Sequence, residues 1–191
     1  TVDTGVVFYA AVRWWLCLGF CLAKHDKHIG NTFTALVGLL CLLPAWLALR
    51  VILGADPGPW LLVWLLAIVA AADIGAYAAG RLLGRHKLAP RLSPGKTIEG
   101  LVGGLICAAI VAGAGAAQFG LDPVPYAVLG PLVAAVSVVG DLTVSAFKRH
   151  AQLKDTGWIL PGHGGVMDRV DSLVAAAPVF VAILAVAGPL S

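Results

Sequence analysis

Apolar residues gather in six long blocks, at about 5–23, 31–53, 60–80, 100–119, 126–147 and 170–189, with short polar stretches between them. Blocks of roughly 20 residues are what an α-helix needs to cross about 30 Å of hydrocarbon. The pattern therefore predicts an all-α integral membrane protein: a polytopic bundle of about six transmembrane helices, forming one domain over residues 1–191. The connecting stretches leave no room for a separate soluble domain, and no repeat of 20–50 residues is visible. In the fourth block, "GLVGGLICAAIVAGAGAAQFG", small residues recur every three or four positions. Such spacing lets helix backbones approach closely in lipid, so this block is expected to pack tightly against a neighbour. No charged segment with a short apolar run and an A-x-A site precedes the first block, so no signal peptide is expected within it.

Composition sharpens this picture. Charged residues make up 12% of the chain and mean hydropathy is +0.92, whereas a soluble domain carries about 25% charge. Of the 13 Lys and Arg, Lys24 and Lys27 follow block one. Arg81, Arg85, Lys87, Arg91 and Lys96 follow block three, and Lys148, Arg149, Lys154 and Arg169 follow block five. The alternate loops "GADPGP" (54–59) and "GLDPVP" (120–125) hold none. Under the positive-inside rule the basic loops face the cytoplasm and both ends of this chain lie outside. Basic loops at a membrane surface suit anionic headgroups or a phosphorylated substrate; nothing calls for nucleic acid. Cys17, Cys21, Cys41 and Cys107 lack metal-type spacing and read as buried small hydrophobes. Trp14, Trp15, Trp46, Trp60 and Trp64 read as interface anchors, while Trp158 stands where it could touch a ligand.

Ionisable groups inside apolar blocks are functional candidates, because a charge at mid-bilayer is costly unless paired or wetted. Asp73 lies in "AAADIGAYAAG", with Tyr77 one turn on as a potential partner. Asp141 lies in "SVVGDLTVS", about two turns from the basic loop. Asp168 and Asp171, three apart at the start of block six, share a helix face; the helix dipole alone would favour them there. Together with Asp141 they resemble an oxygen-rich site for Mg²⁺, which takes one or two carboxylates plus phosphates and water. "KDTGWILPGHGGVMDRVD" (154–171) adds Asp155, His163, Gly164 and Gly165. Glycines before a helix N-terminus can turn backbone N–H groups toward an anion. With Lys148, Arg149, Lys154 and Arg169 around it, this loop reads as a cradle for a polyphosphate. "RLSPGKTIEG" (91–100), with Ser93, Lys96, Thr97 and Glu99, offers a second cradle, though it is not a Walker A loop. Divalent metal, anion nest and cations at a membrane surface describe phosphoryl or nucleotidyl transfer.

The run 145–171, "SAFKRHAQLKDTGWILPGHGGVMDRVD", resembles the signature of the bacterial phosphatidate cytidylyltransferases (CDP-diacylglycerol synthases), S-x-x-K-R-x4-K-D-x-G-x2-[LI]-P-x-H-G-G-x2-D-R-x-D. Ser145, Lys148, Arg149, Lys154, Asp155, Gly157, Leu160, Pro161, His163, Gly164, Gly165, Asp168, Arg169 and Asp171 all match. Upstream, residues 73–100 are similar to the family's D-x-x-A-Y-x2-G and S-P-x-K-T-x-E-G elements. The resemblance implies a multi-pass enzyme of the bacterial cytoplasmic membrane that makes CDP-diacylglycerol and pyrophosphate from CTP and phosphatidate. It implies one or two Mg²⁺ ions, with an accompanying monovalent cation admissible, and a homodimer. Family chains are longer at the N-terminus, so further membrane helices are expected upstream.

Residues and resemblance together assign the metal to Asp141, Asp168 and Asp171. Lys148, Arg149, His163 and Arg169 join them as catalytic candidates. Substrate binding is expected from Asp73, Tyr77, Ser93, Lys96, Thr97, Glu99, Lys154, Asp155, Gly164 and Gly165, with loops 81–99 and 148–169 forming one cytoplasmic site. Two alternatives stay open: a CTP-dependent polyprenol or phytol kinase, and an ion-coupled transporter using Asp73 and Asp141.

Overall fold

The computed structural model describes residues 10, 13–15, 31–90, 92–153, 155–157 and 165–187, with backbone alone for 31–35, 150 and 187. Its helices are α1 (Asn31–Gly54), α2 (Gly58–Leu83), α3 (Ile98–Gln118), α4 (Pro123–His150) and α5 (Met167–Ala187). All five are long and apolar enough to cross a membrane. The chain is thus a polytopic all-α membrane protein, and five of the six expected blocks appear as helices. Most of the first block lies outside the described residues, although 13–15 are helical.

Local chemistry sets the helix ends. Pro59 enters the first turn of α2, where its missing N–H costs nothing. The Thr97 hydroxyl caps α3 by accepting from the Gly100 N–H at 3.1 Å, and Asp122 caps α4 through the Val124 N–H at 3.0 Å.

Successive helices α2, α3, α4 and α5 pack side by side, and α5 closes the bundle against α1 and α2. The tight packing expected of the fourth block lies at its seam with α2. A Cβ on Gly103 would sit 2.4 Å from the Ala79 Cβ, and one on Gly104 2.7 Å from the Ala72 carbonyl oxygen. Only a glycine backbone allows that approach. Helix α5 is the core element: every residue from 174 to 184 is buried, whereas the other helices expose leucines, valines and isoleucines outward, as a lipid-facing surface requires.

Two expectations change. The stretch after α2 is not a plain loop: β1 (Lys87–Ala89) pairs antiparallel with β2 (Ser93–Thr97), Lys87 opposite Thr97 and Ala89 opposite Ser93. And not every tryptophan is an interface anchor. Trp46 and Trp60 are 56% and 65% exposed, but Trp15 and Trp64 are buried at 1% and 4%. Trp64 centres an aromatic cluster, 5.3 Å from each of Phe119, Tyr126 and Phe180, and its indole N–H donates to the Val111 carbonyl at 3.3 Å. That internal acceptor removes the need for an interface. Trp158 lies outside the described residues; Cys41 is buried and Cys107 half-buried, both free.

Candidate active site

Four carboxylates from three helices line one cleft of about 480 Å³: Asp73 of α2, Asp141 of α4, and Asp168 and Asp171 of α5. Leu66, Val69 and Ala70 of α2 form an apolar wall beside them, and Arg169 contributes a cationic one. The approach of α4 to α5 depends on Gly140, where a Cβ would meet the Ala175 Cβ at 2.5 Å and the Asp171 carbonyl oxygen at 2.8 Å. Asp141 and Asp171 therefore face the same space because a glycine beside one lets the backbone of the other come near.

Two lysines neutralise this acidic group. Lys96, at the end of β2, forms an ion pair with the Asp141 carboxylate, so the hairpin and α4 meet at one place. The Ser145 hydroxyl, one helical turn after Asp141, donates to its other oxygen at 3.3 Å. Lys148 reaches Asp168 Oδ1 at 2.7 Å in a pair whose side chains are only 16% and 9% exposed. Asp168 Oδ2 accepts three more hydrogen bonds: from the Thr156 N–H at 2.8 Å, the Thr156 hydroxyl at 2.9 Å and the Gly165 N–H at 2.9 Å. One carboxylate thus ties α4, the loop after it and the start of α5 together. Asp171 is buried, and its Oδ1 accepts from the Ser172 N–H at 2.7 Å.

A second cavity of about 390 Å³ lies between α2, α3 and the hairpin, bordered by Asp73, Tyr77, Ser93, Lys96 and Thr97 among mostly apolar neighbours. Asp73 and the two partners of the Lys96–Asp141 pair connect it with the first cleft.

Several sequence expectations take a different form here. Glu99 borders neither cavity; its carboxylate instead accepts from the backbone N–H groups of Arg85 and His86 and meets the His86 ring, so it does not offer itself to a substrate. The Thr97 oxygen is committed to capping α3. The Gly165 N–H, expected in an anion nest, is spent on Asp168, and a Cβ there would lie 2.5 Å from the Thr156 hydroxyl. Tyr77 makes no hydrogen bond to Asp73; its hydroxyl instead accepts from Arg81 at 2.7 Å. Arg149 turns to the Leu153 carbonyl at 3.4 Å, closing the end of α4. Asp155 is exposed on the loop after α4. Lys154, His163 and Gly164 lie outside the described residues.

Ser145 and Thr156 were missed as site residues. The four-residue spacing from Asp141 was a usable signal for Ser145; nothing local pointed from Thr156 to a carboxylate twelve positions on.

Among the described residues, no three ligand-type side chains converge on one ion-sized point. Mg²⁺ does not require such a cage: oxygen-only carboxylate donors on a shared cleft suit a hard cation held by one or two of them with phosphates and water. The donor set fits that ion, and both ammonium groups already mark where positive charge is wanted.

Residues 1–187 match the model of a family described as the cytidylyltransferase family. The chain is 44% identical over 191 aligned residues to the phosphatidate cytidylyltransferase of Pseudomonas aeruginosa, which covers 96% of this chain and 70% of that protein. It is 45% identical over 133 residues to the phosphatidate cytidylyltransferase of Haemophilus influenzae, covering 65% of this chain and 46% of that one. It is also 41% identical over 137 residues to the uncharacterised Escherichia coli protein YnbB, again over 46% of its partner. Against these last two, the matched stretch spans about half the relative's length.

Proposed function

This chain belongs to the cytidylyltransferase family, and from that premise we propose that it transfers the cytidylyl group of CTP to phosphatidate, releasing pyrophosphate and leaving CDP-diacylglycerol in the membrane. The observation that carries the reading is the cleft lined by four carboxylates and served by two lysines; the bias of basic residues to alternate loops supports a cytoplasmic placement for it.

A phosphate oxygen of phosphatidate attacks the α-phosphorus of CTP in line; the new P–O bond forms as the bond to the β-phosphate breaks. That oxygen is already anionic, so no strong general base is required. Bound through one or two of Asp141, Asp168 and Asp171, Mg²⁺ would supply neutralisation of the triphosphate charge. Lys96, Lys148 and Arg169 supply fixed positive charge around the same cleft, and such positioning and neutralisation are most of what phosphoryl-group transfer asks of a protein. Lys154, Arg149 and the His163–Gly164 stretch would extend this at the loop. The mixed lining suits two unlike substrates: CTP arrives from water, while the apolar residues of α2 and the second cavity suit a lipid that stays in its leaflet. The inner membrane of a bacterium, with the site facing the cytoplasm, and a homodimer complete the reading.

The test is direct. Purified protein with phosphatidate, Mg²⁺ and CTP labelled at the α-phosphate should move label into lipid and release pyrophosphate. Label recovered as free CDP would replace this reading with a lipid-alcohol kinase; no consumption of CTP would end both.

A further inference from the structure

An acidic residue in the first turn of a helix is explained by the helix dipole alone, but the Glu99 carboxylate does something more specific. It accepts from the Arg85 N–H at 3.1 Å and the His86 N–H at 3.2 Å, and meets His86 Nδ1 at 2.7 Å. These donors stand just before β1, whereas Glu99 stands just after β2, so the carboxylate closes the base of the hairpin. The Ile98 N–H adds a second tie to the His86 carbonyl at 2.9 Å. Two short strands are marginal by themselves in water, so these ties are what give the hairpin a fixed direction. Lys96 sits beside this clasped base, one residue before the buried Thr97 cap, with its ammonium on Asp141.

We propose that Glu99 is a positioning residue: by clasping the 85–86 amides it holds the hairpin so that the Lys96 ammonium is delivered to Asp141 at the edge of the carboxylate cleft. The kinetic consequence rests on the function proposed above, in which Lys96 serves the phosphates; the geometric consequence does not.

The geometric arm is competitive acetylation of the lysines in the full, detergent-solubilised chain, read by mass spectrometry. Glu99→Ala should raise the rate at Lys96 several-fold while Lys148, paired elsewhere, keeps its wild-type rate. An unchanged Lys96, or an equal rise at both lysines as in general loosening, overturns the proposal. The kinetic arm compares Glu99→Ala, Lys96→Met and the double variant in cytidylyl transfer. Each single change should lower kcat/KM by about 10- to 100-fold, the scale of an ångström-sized misplacement. The double should be no worse than Lys96→Met, because Glu99 acts through that lysine. Glu99→Gln, which keeps an acceptor for one amide, should recover part of the loss. Multiplying losses would overturn the proposal, whereas a wild-type protein that transfers no label would instead overturn the function and leave the acetylation result standing.

Discussion

Substituting Gly140 by alanine places one methyl group where α4 and α5 touch. Its Cβ would lie 2.5 Å from the Ala175 Cβ and 2.8 Å from the Asp171 carbonyl oxygen. Non-bonded carbons rest at about 3.5–4.0 Å, so the two helices must part by about 1 Å at this level. Overpacking of that kind costs about 1–3 kcal/mol, enough to lower Tm by several degrees. The larger effect falls on chemistry, because the shift separates Asp141, the next residue, from the turn that bears Asp171. A misplacement of about 1 Å in such a constellation can cost about 100-fold. Transfer of α-labelled CTP into phosphatidate should therefore fall about 10- to 100-fold in Gly140→Ala, measured beside a thermal melt of the same preparation. Adding Ala175→Gly removes the shorter contact. It should restore activity more than stability, since a mid-helix glycine itself costs about 1 kcal/mol. A Gly140→Ala protein with wild-type turnover and melting would refute the argument that this seam sets the distance between the two carboxylates.

Neutralising Asp141 as Asp141→Asn should abolish transfer or sharply raise the Mg²⁺ requirement while Tm stays near wild type; a fall in Tm alone, at normal metal dependence, would make Asp141 a structural group. Asp168→Asn should lose both activity and stability, by about 3 kcal/mol, because one amide oxygen cannot serve the Lys148 ammonium, two backbone N–H groups and a hydroxyl. An unchanged melt would show that this knot does not hold the loop. Trp64→Ala should cost about 3–5 kcal/mol by emptying the aromatic cluster yet leave KM for CTP unaltered in the folded fraction, and a raised KM would reveal coupling between that cluster and the nucleotide site.

The membrane spans were legible because hydropathy in blocks of helical length has no competing explanation, and the seam of α2 with α3 was legible because glycine spacing reports backbone approach. The hairpin was not. Its strands contain Pro94 and Gly95 and few β-branched residues, so no propensity marks them; pairing follows from the clasp at Glu99 and the cap at Thr97, which are tertiary facts. For the site, sequence picked out Asp73 and Asp141 as carboxylates inside apolar blocks and Asp168 and Asp171 as a pair on one face at a helix start, and the structure brings all four to one cleft. What the sequence hid was which oxygens are already engaged. Asp168 and Asp171 look alike along the chain, yet among the described residues one accepts four hydrogen bonds across three segments and the other accepts only from its neighbour Ser172. Trp64 misled for a related reason: a residue near a helix end looks interfacial until the carbonyl that receives its indole N–H is known.

Helix α5 is the most enclosed of the five, and it follows the others in sequence. During synthesis its walls are therefore translated before it is, and it must slide from the translocation machinery into a slot between α1, α2 and α4 rather than join a free edge. Until it arrives, Asp73 and Asp141 have no Asp168 or Asp171 opposite them, and Lys148 lacks its counter-charge within the bundle. Ribosome-bound intermediates stopped before residue 167 should consequently be held open by lipid or by an insertase, and should be clipped by membrane proteases far faster than the finished chain.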